Sequence, residues 1–284
     1  MQKSDGSTEW TLKITSSRSA FDLHLKDIWL YRDLLLLIVR RDFVSFYKQT
    51  LLGPLWFFIQ PIFTTVIFIV VFSKMAKIST NGAPPAIFYL VGTVAWTYFS
   101  DCLTKTSTVF RDNAAVFGKV YFPRLIMPLS IICSNLIKFG VQFLLFLVLL
   151  VYYGFQERVH INSYALLFPL VIMLMAILGL GIGLIVTALT TKYRDLAFIV
   201  TFGMQLLMYA TPVIWSLSAA PAKYRTIIAL NPMSGLIETF RYGFLGTGDF
   251  YPGAFIYSIF ASVVLLLLGL IVFNKVEKDF VDKI

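Results

Sequence analysis

Six apolar stretches, each close to or beyond the length that crosses a bilayer, constrain this chain more than any other feature: residues 55–72, 86–103, 125–153, 164–190, 196–217 and 254–273. A helix rises 1.5 Å per residue, so about 20 residues cross the hydrocarbon core. In that medium every backbone N–H and C=O must be paired within the protein, and long continuous apolar runs satisfy this as helices. The chain is 58% hydrophobic and 14% charged, against about 25% charged in soluble domains, so it lacks the polar residues that would wet a globular exterior. The expected fold is all-α: one polytopic membrane domain with six transmembrane helices over residues 51–273. A polar tail (1–20) and an interface segment (21–50) come before it, and a charged tail (274–284) follows.

With six spans, both termini share one side. That side carries the Lys and Arg of residues 1–50, 104–124, 192–194 and 274–284, whereas the other carries Lys74, Lys77, Arg158, Lys223, Arg225 and Arg241. The bias places both termini in the cytoplasm. The opening residues, MQKSDGSTEWTLKITSSRSA, are polar and lack the pattern of a cleavable signal, so residues before the first span are expected to stay on the side of synthesis. The formal charge of +9 is accounted for by this bias and by contact with anionic headgroups, with no clustered basic face that would suit nucleic acid.

Several kinds of chemistry find no support in the sequence. There is no G-x-x-x-x-G-K-[ST] loop to cradle the phosphates of ATP. GLGIG (Gly179 to Gly183) lies inside the fourth span, where small residues let helices approach closely. His24 and His160 fall on opposite sides of the membrane and cannot share a metal. Cys102 and Cys133 lie within spans and read as small packing residues. No catalytic residues are assigned, and the chain is expected not to be an enzyme.

Residues 21–42 begin as an amphipathic helix, with Asp22, Lys26 and Asp33 near one face and Phe21, Leu25, Ile28 and Leu35 on another, which suits the cytoplasmic interface. Asp101 and Lys105, four apart, have the spacing of a same-helix ion pair. The loop after the second span has room for a short helix over 109–121 before Gly118 and Pro123 break it. In the third span Ser130, Ser134, Lys138 and Gln142 form a polar stripe, which either faces a pathway or bonds to a neighbouring helix. TKYRD (191–195) joins the fourth and fifth spans in a tight charged turn, and Pro212 should kink or end the fifth helix. Next comes LNPMSGLIETFRYGFLG (230–246), too apolar for a surface loop yet interrupted by Asn231-Pro232 and Gly235 and charged at Glu238 and Arg241. It fits a re-entrant helical hairpin over about 222–246, with Glu238 and Arg241 able to pair three residues apart.

Three stretches taken together, RRDFVSFYKQTLLGPLWFFIQPI, FGKVYFPRLIMPLS, and the run from YRDLAFIVTFGMQLLMYATPVIW through LNPMSGLIETFRYGFLG, resemble the membrane subunits of ATP-binding-cassette (ABC) exporters of lipid-linked polysaccharides, the O-antigen and capsule permeases. Teichoic-acid exporters are similar as well. The resemblance covers nearly the whole chain in order. It implies two copies of this subunit, assembled with two copies of a separate ATPase that binds Mg-ATP, so no cofactor is expected in this chain. It places ATPase contacts at Phe21, Leu25, Lys26, Trp29 and Arg32, at Arg111, Asp112, Lys119 and Arg124, and at Lys192, Tyr193, Arg194 and Asp195. It implies a channel at the homodimer interface for an undecaprenyl-linked glycan, with Trp56, Phe57, Tyr89, Trp96, Tyr98, Tyr209 and Trp215 as candidate lining rings. Lys138 and Gln142 of the polar stripe join them. Arg40, Arg41 and Lys48 are candidates for the lipid pyrophosphate. On the residues alone the segment containing Asn231, Pro232, Gly235, Glu238 and Arg241 is either an external gate or a structural plug, and the resemblance favours the gate.

Two other classes make different demands. A secondary transporter should show internal repeats with paired broken helices, and one such break is visible. A membrane enzyme of glycan or lipid synthesis should gather carboxylates or histidines at one interface, whereas the acidic residues here are scattered, mostly beside Lys or Arg.

Overall fold

The computed structural model describes residues 25–48, 52–117 and 122–281. Among these the regular structure is helical and no strand occurs. Helices α1 (Leu25–Leu30) and α2 (Arg32–Lys48) are separated by a turn at Tyr31. A 3-10 turn, Gly53–Leu55, leads into α3 (Trp56–Phe68), which widens into a π-helical end at Ile69–Met75. There follow α4 (Pro85–Ser107), two four-residue helices α5 (Val109–Asp112) and α6 (Ala114–Phe117), then α7 (Ile126–Phe155) and α8 (Phe168–Lys192). The last part comprises α9 (Leu196–Ala210), α10 (Ala222–Ala229), α11 (Pro232–Leu245) and α12 (Pro252–Val281).

Five helical stretches are long and apolar enough to cross a membrane: Gly53–Met75, Pro85–Ser107, Ile126–Phe155, Ser163–Lys192 and Pro252–Val276. The protein is therefore an integral membrane protein. The expected span over 196–217 is different: α9 has 15 residues, about 22 Å at 1.5 Å each, short of the roughly 30 Å hydrocarbon core. Pro212 causes the stop. Its ring disfavours helical geometry in the residue before it, and Thr211 accordingly adopts an extended conformation (φ −97°, ψ 149°).

Helix α4 is the centre of the bundle, with 78% of its apolar window buried against 22% for the first and third spans. Helix α8 packs lengthwise on α4 and α12 because glycine removes the side chains between them. A β-carbon on Gly179 would lie 2.9 Å from Cys102 Cβ, and one on Gly183 would lie 2.7 Å from Thr106 Cβ, both on α4. One on Gly181 would lie 2.6 Å from the Leu266 nitrogen of α12. The GLGIG run is thus a packing motif facing two helices. Across the same seam the hydroxyl of Thr187 donates to the Thr106 carbonyl at 2.7 Å, and that of Thr190 donates to the Ser107 carbonyl.

Two apolar cores result. The larger includes a set of rings from α7, α8 and α11: Phe143 and Phe168 stack at 4.4 Å, and Phe146 meets Phe244 edge-on at 5.4 Å. The smaller lies at the α5–α6 end, where Phe110 stacks on Phe273 at 5.0 Å and touches Phe117 at 5.5 Å, with Ile38 of α2 in the same cluster. The loop helix expected over 109–121 is split in two at Asn113, with residues 118–121 outside the described set.

The amphipathic reading of residues 21–42 holds only in part. Leu34, Leu35 and Ile38 face the smaller core, but Trp29, Leu30, Leu36 and Leu37 are all more than 60% exposed, beside Asp33 and Arg40. The outward face is therefore mixed rather than polar.

Candidate functional site

The unwound backbone after α9 sets the problem that the site solves. Residues 211–216 are buried or half-buried yet largely non-helical, so their carbonyls need partners. Helix α11 supplies them. It starts cleanly, with Pro232 at its first turn and the Asn231 side chain accepting the Met233 N–H at 3.0 Å. Asn231 Nδ2 also donates to Thr211 Oγ1 at 2.7 Å, fixing the helix start to the end of α9. From this helix Arg241 projects inward at 2% exposure. Its Nη2 donates to the carbonyls of Pro212 (3.2 Å) and Val213 (3.0 Å), and its Nη1 donates to Glu238 Oε1 (3.0 Å). Glu238, 3% exposed, accepts the Leu217 N–H at 2.9 Å. The guanidinium carbon lies 3.8 Å from the ring centroid of Phe88 on α4, a desolvated cation–π contact. The arrangement is a clasp, in which a buried ion pair holds both ends of the unwound segment after α9.

Two glycines make room for it. A β-carbon on Gly92 of α4 would run into the Val213 carbonyl, and one on Gly235 would lie 2.5 Å from Ser258 Oγ and 2.6 Å from the Ala254 carbonyl of α12. Gly235 is thus inside α11 as a helix contact, not at a break as its sequence context suggests; the break falls at Leu230-Asn231. Arg241, expected among the basic residues of the external side, is buried inside the protein. Outside the clasp, Asn81 Nδ2 in the turn before α4 donates to Ser216 Oγ and Ser218 Oγ, both at 2.7 Å. Helix α10 is the loose element: Tyr224 and Ile227 are exposed, and Arg225 reaches back to the carbonyls of Ser218 and Ala220.

The candidate lining rings fall into two groups. Trp56 (43% exposed) and Tyr209 (53%) are on the subunit surface. Trp56 borders a groove of about 530 Å³ with Ile59, Gln60, Phe63, Thr64 and Ile67. Tyr209 belongs to an exposed row on α9 with Phe198, Phe202 and Leu206. By contrast Tyr89, Trp96 and Tyr98 are buried inside the subunit, as are Phe57, which stacks with Phe43, and Gln142. Trp215 is half-buried and donates its ring N–H to the Tyr209 carbonyl at 3.2 Å. Lys138 is drawn to Asp101 at 2.7 Å, and Lys105 donates to Asn135 at 2.9 Å. The same-helix Asp101–Lys105 pair is therefore not formed. A lysine from the neighbouring helix outcompetes Lys105, and of the polar stripe of α7 Lys138 bonds to α4 while Ser130 bonds within α7.

Of the candidate partner contacts, Phe21 and Lys119 lie outside the described residues, and Leu25 and Lys26 are in the first turn of α1. The Arg32 guanidinium lies 5.4 Å from the exposed ring of Trp29. Arg111 pairs with Asp112 at 2.9 Å on the surface, and Arg124 lies over Phe110 and Phe117 of the smaller core. Lys192, Tyr193, Arg194 and Asp195 form an exposed turn. Arg40, Arg41 and Lys48 are exposed along α2, Arg41 bonded to Asp42 at 2.8 Å. Among the described residues no three His, Cys, Asp or Glu side chains gather as metal ligands.

Residues 33–245 match the ABC-2 type transporter family, and the chain belongs to that family. Among curated proteins it is similar to the O-antigen export system permease protein RfbA of Klebsiella pneumoniae, 29% identical over 255 residues, covering 88% of this chain and 94% of that protein. The protein of the same name from Myxococcus xanthus is 28% identical over 264 residues, 92% of this chain and 98% of its own. The capsule polysaccharide export inner-membrane protein CtrC of Neisseria meningitidis is 22% identical over 250 residues, 85% and 90% respectively.

Proposed function

We propose that this chain is the permease subunit of an ATP-driven exporter that moves an undecaprenyl-linked, O-antigen-like polysaccharide across a bacterial inner membrane. The observation that carries the reading is end-to-end similarity to O-antigen export permeases, higher in identity than to the capsule protein. The absence of any phosphate-cradling loop in the sequence supports a separate ATPase binding Mg-ATP, two copies per homodimer. The exposed aromatic faces of α3 and α9 support a glycan-tolerant channel where two subunits meet, since sugars present C–H faces to rings. The mixed outward face of α1 and α2, with Trp29 on the first and Leu36 beside Arg40 on the second, suits the cytoplasmic headgroup layer.

In this reading α9 is the fifth of six crossings in chain order, completed by the clasped loop, and α10 with α11 re-enters from the external side. Both termini are cytoplasmic. ATPase contacts are made by α1–α2, by the α5–α6 loop around Arg111 and Arg124, and by Lys192 to Asp195. Arg40, Arg41 and Lys48 meet the lipid pyrophosphate. The gate moves from the segment of Asn231, Pro232, Gly235, Glu238 and Arg241 to the neighbouring α10, because α11 is fixed by the buried clasp. Deleting the chain should leave undecaprenyl-linked glycan in the cytoplasm-facing leaflet. Normal surface glycan after deletion would reject the assignment.

A further inference from the structure

The polar contacts between α4 and α7 form a ladder with one register. Tyr98 meets Phe139 at 5.2 Å between ring centroids, Asp101 Oδ2 accepts from Lys138 Nζ at 2.7 Å, and Asn135 Oδ1 accepts from Lys105 Nζ at 2.9 Å. Residue numbers rise on one helix as they fall on the other, so the helices run antiparallel. The side chains of Lys138 and Asp101 are only 17% and 25% exposed, within two apolar spans. Charges there are costly without a partner, so their placement constrains the helices strongly.

The constraint is asymmetric. Sliding α7 by about one turn, 5.4 Å, one way brings Lys138 opposite Lys105 and Gln142 opposite Asp101, setting two ammonium groups against each other. Sliding it the other way brings Tyr98 opposite Lys138, leaves Lys138 without its carboxylate and takes Asn135 away from Lys105. Asn135 Nδ2 and Ser134 Oγ are buried without partners in the same seam, so the seam is not optimised for stability alone. Buried polar groups of this kind are best attested as devices that specify register.

We propose that Asp101, Lys105, Asn135 and Lys138 are a register lock that holds α7 lengthwise on α4, so that the two helices move only as one body. These are positioning residues and need touch no cargo. The lock is read by cysteine cross-linking in membranes from the full chain, with Cys102 and Cys133 replaced by alanine. The Tyr98→Cys/Phe139→Cys pair should cross-link and the Tyr98→Cys/Phe143→Cys pair should not. Adding Lys138→Gln removes the lysine–lysine repulsion and should bring up the 98–143 product. Asp101→Asn retains the repulsion and should not. Both single changes should lower export at least about tenfold, and the swap Asp101→Lys/Lys138→Asp should restore it to within about twofold. An unchanged 98–139 product with near-normal export in Lys138→Gln overturns the lock. If the single variants fail to accumulate, the swap decides, and failure of the swap as well makes the seam a packing contact and overturns it. Cross-linking reads register whatever the cargo, so failure of the lock and failure of the export assignment give different results.

Discussion

The carboxylate of Glu238 and the guanidinium of Arg241 are 3.0 Å apart, with side chains 4% and 2% exposed, and together they hold the backbone on either side of the break after α9. Removing one partner leaves the other charge buried and alone. Arg241→Met should therefore destabilise the subunit by about 3–5 kcal/mol, and Glu238→Gln/Arg241→Met should lose less than Arg241→Met alone. Thermal unfolding in detergent, compared with membrane accumulation, checks both. A neutral Arg241→Met would mean that the loop carbonyls find other partners.

Close approach of α4 to the Val213 carbonyl depends on a missing side chain. Gly92→Ala should cost about 1–3 kcal/mol by overpacking. Gly140→Ala on α7, where a β-carbon meets nothing within 4 Å, should be neutral or slightly stabilising through helix propensity. The two variants differ by the same methyl group, so a difference between them in unfolding temperature isolates the contact.

Surface and core rings should fail in different ways. Trp56→Ala and Tyr209→Ala should leave accumulation intact and slow export, with ATP hydrolysis by the complex retained. Phe146→Ala, in the core at 1% exposure, should cost about 3–5 kcal/mol and reduce the amount of folded protein. Export normalised to the protein present in the membrane separates these outcomes.

Helix α10 touches little, whereas α11 is wedged between α4, α8 and α12. Tethering α10 through cysteines at Thr226 and Gly253, which border the same cavity, should block export without lowering ATP hydrolysis by more than about twofold. Release by reductant should restore export. Undiminished export with the tether closed would return the gate to another element.

The sequence disclosed what depends on apolar length and on proline. Five of the six expected spans, the stop at Pro212 and the packing role of Gly179, Gly181 and Gly183 follow from hydropathy, ring sterics and the lack of a β-carbon. Contacts between helices distant in the chain were less legible. Asp101 has two lysines within reach, at positions 105 and 138, and local spacing favours the first. Only the antiparallel placement of α7 brings the second to 2.7 Å. Glu238 and Arg241 reveal their mutual spacing, but not that Pro212 and Val213 need donors. Gly235 looks like a breaker until Ser258 is placed against it. Trp96 and Tyr209 are both aromatic residues in apolar surroundings, and no local signal distinguishes the buried ring from the exposed one.

Dependence of transport on a partner ATPase is the property that most directly separates this permease from a self-sufficient carrier. The measurement is ATP hydrolysis and glycan translocation in proteoliposomes, with the purified chain alone and with its co-expressed ATPase. The chain alone should hydrolyse no ATP, and the complex should move undecaprenyl-linked glycan in an ATP-dependent way. Transport by the chain alone under an ion gradient would contradict this dependence.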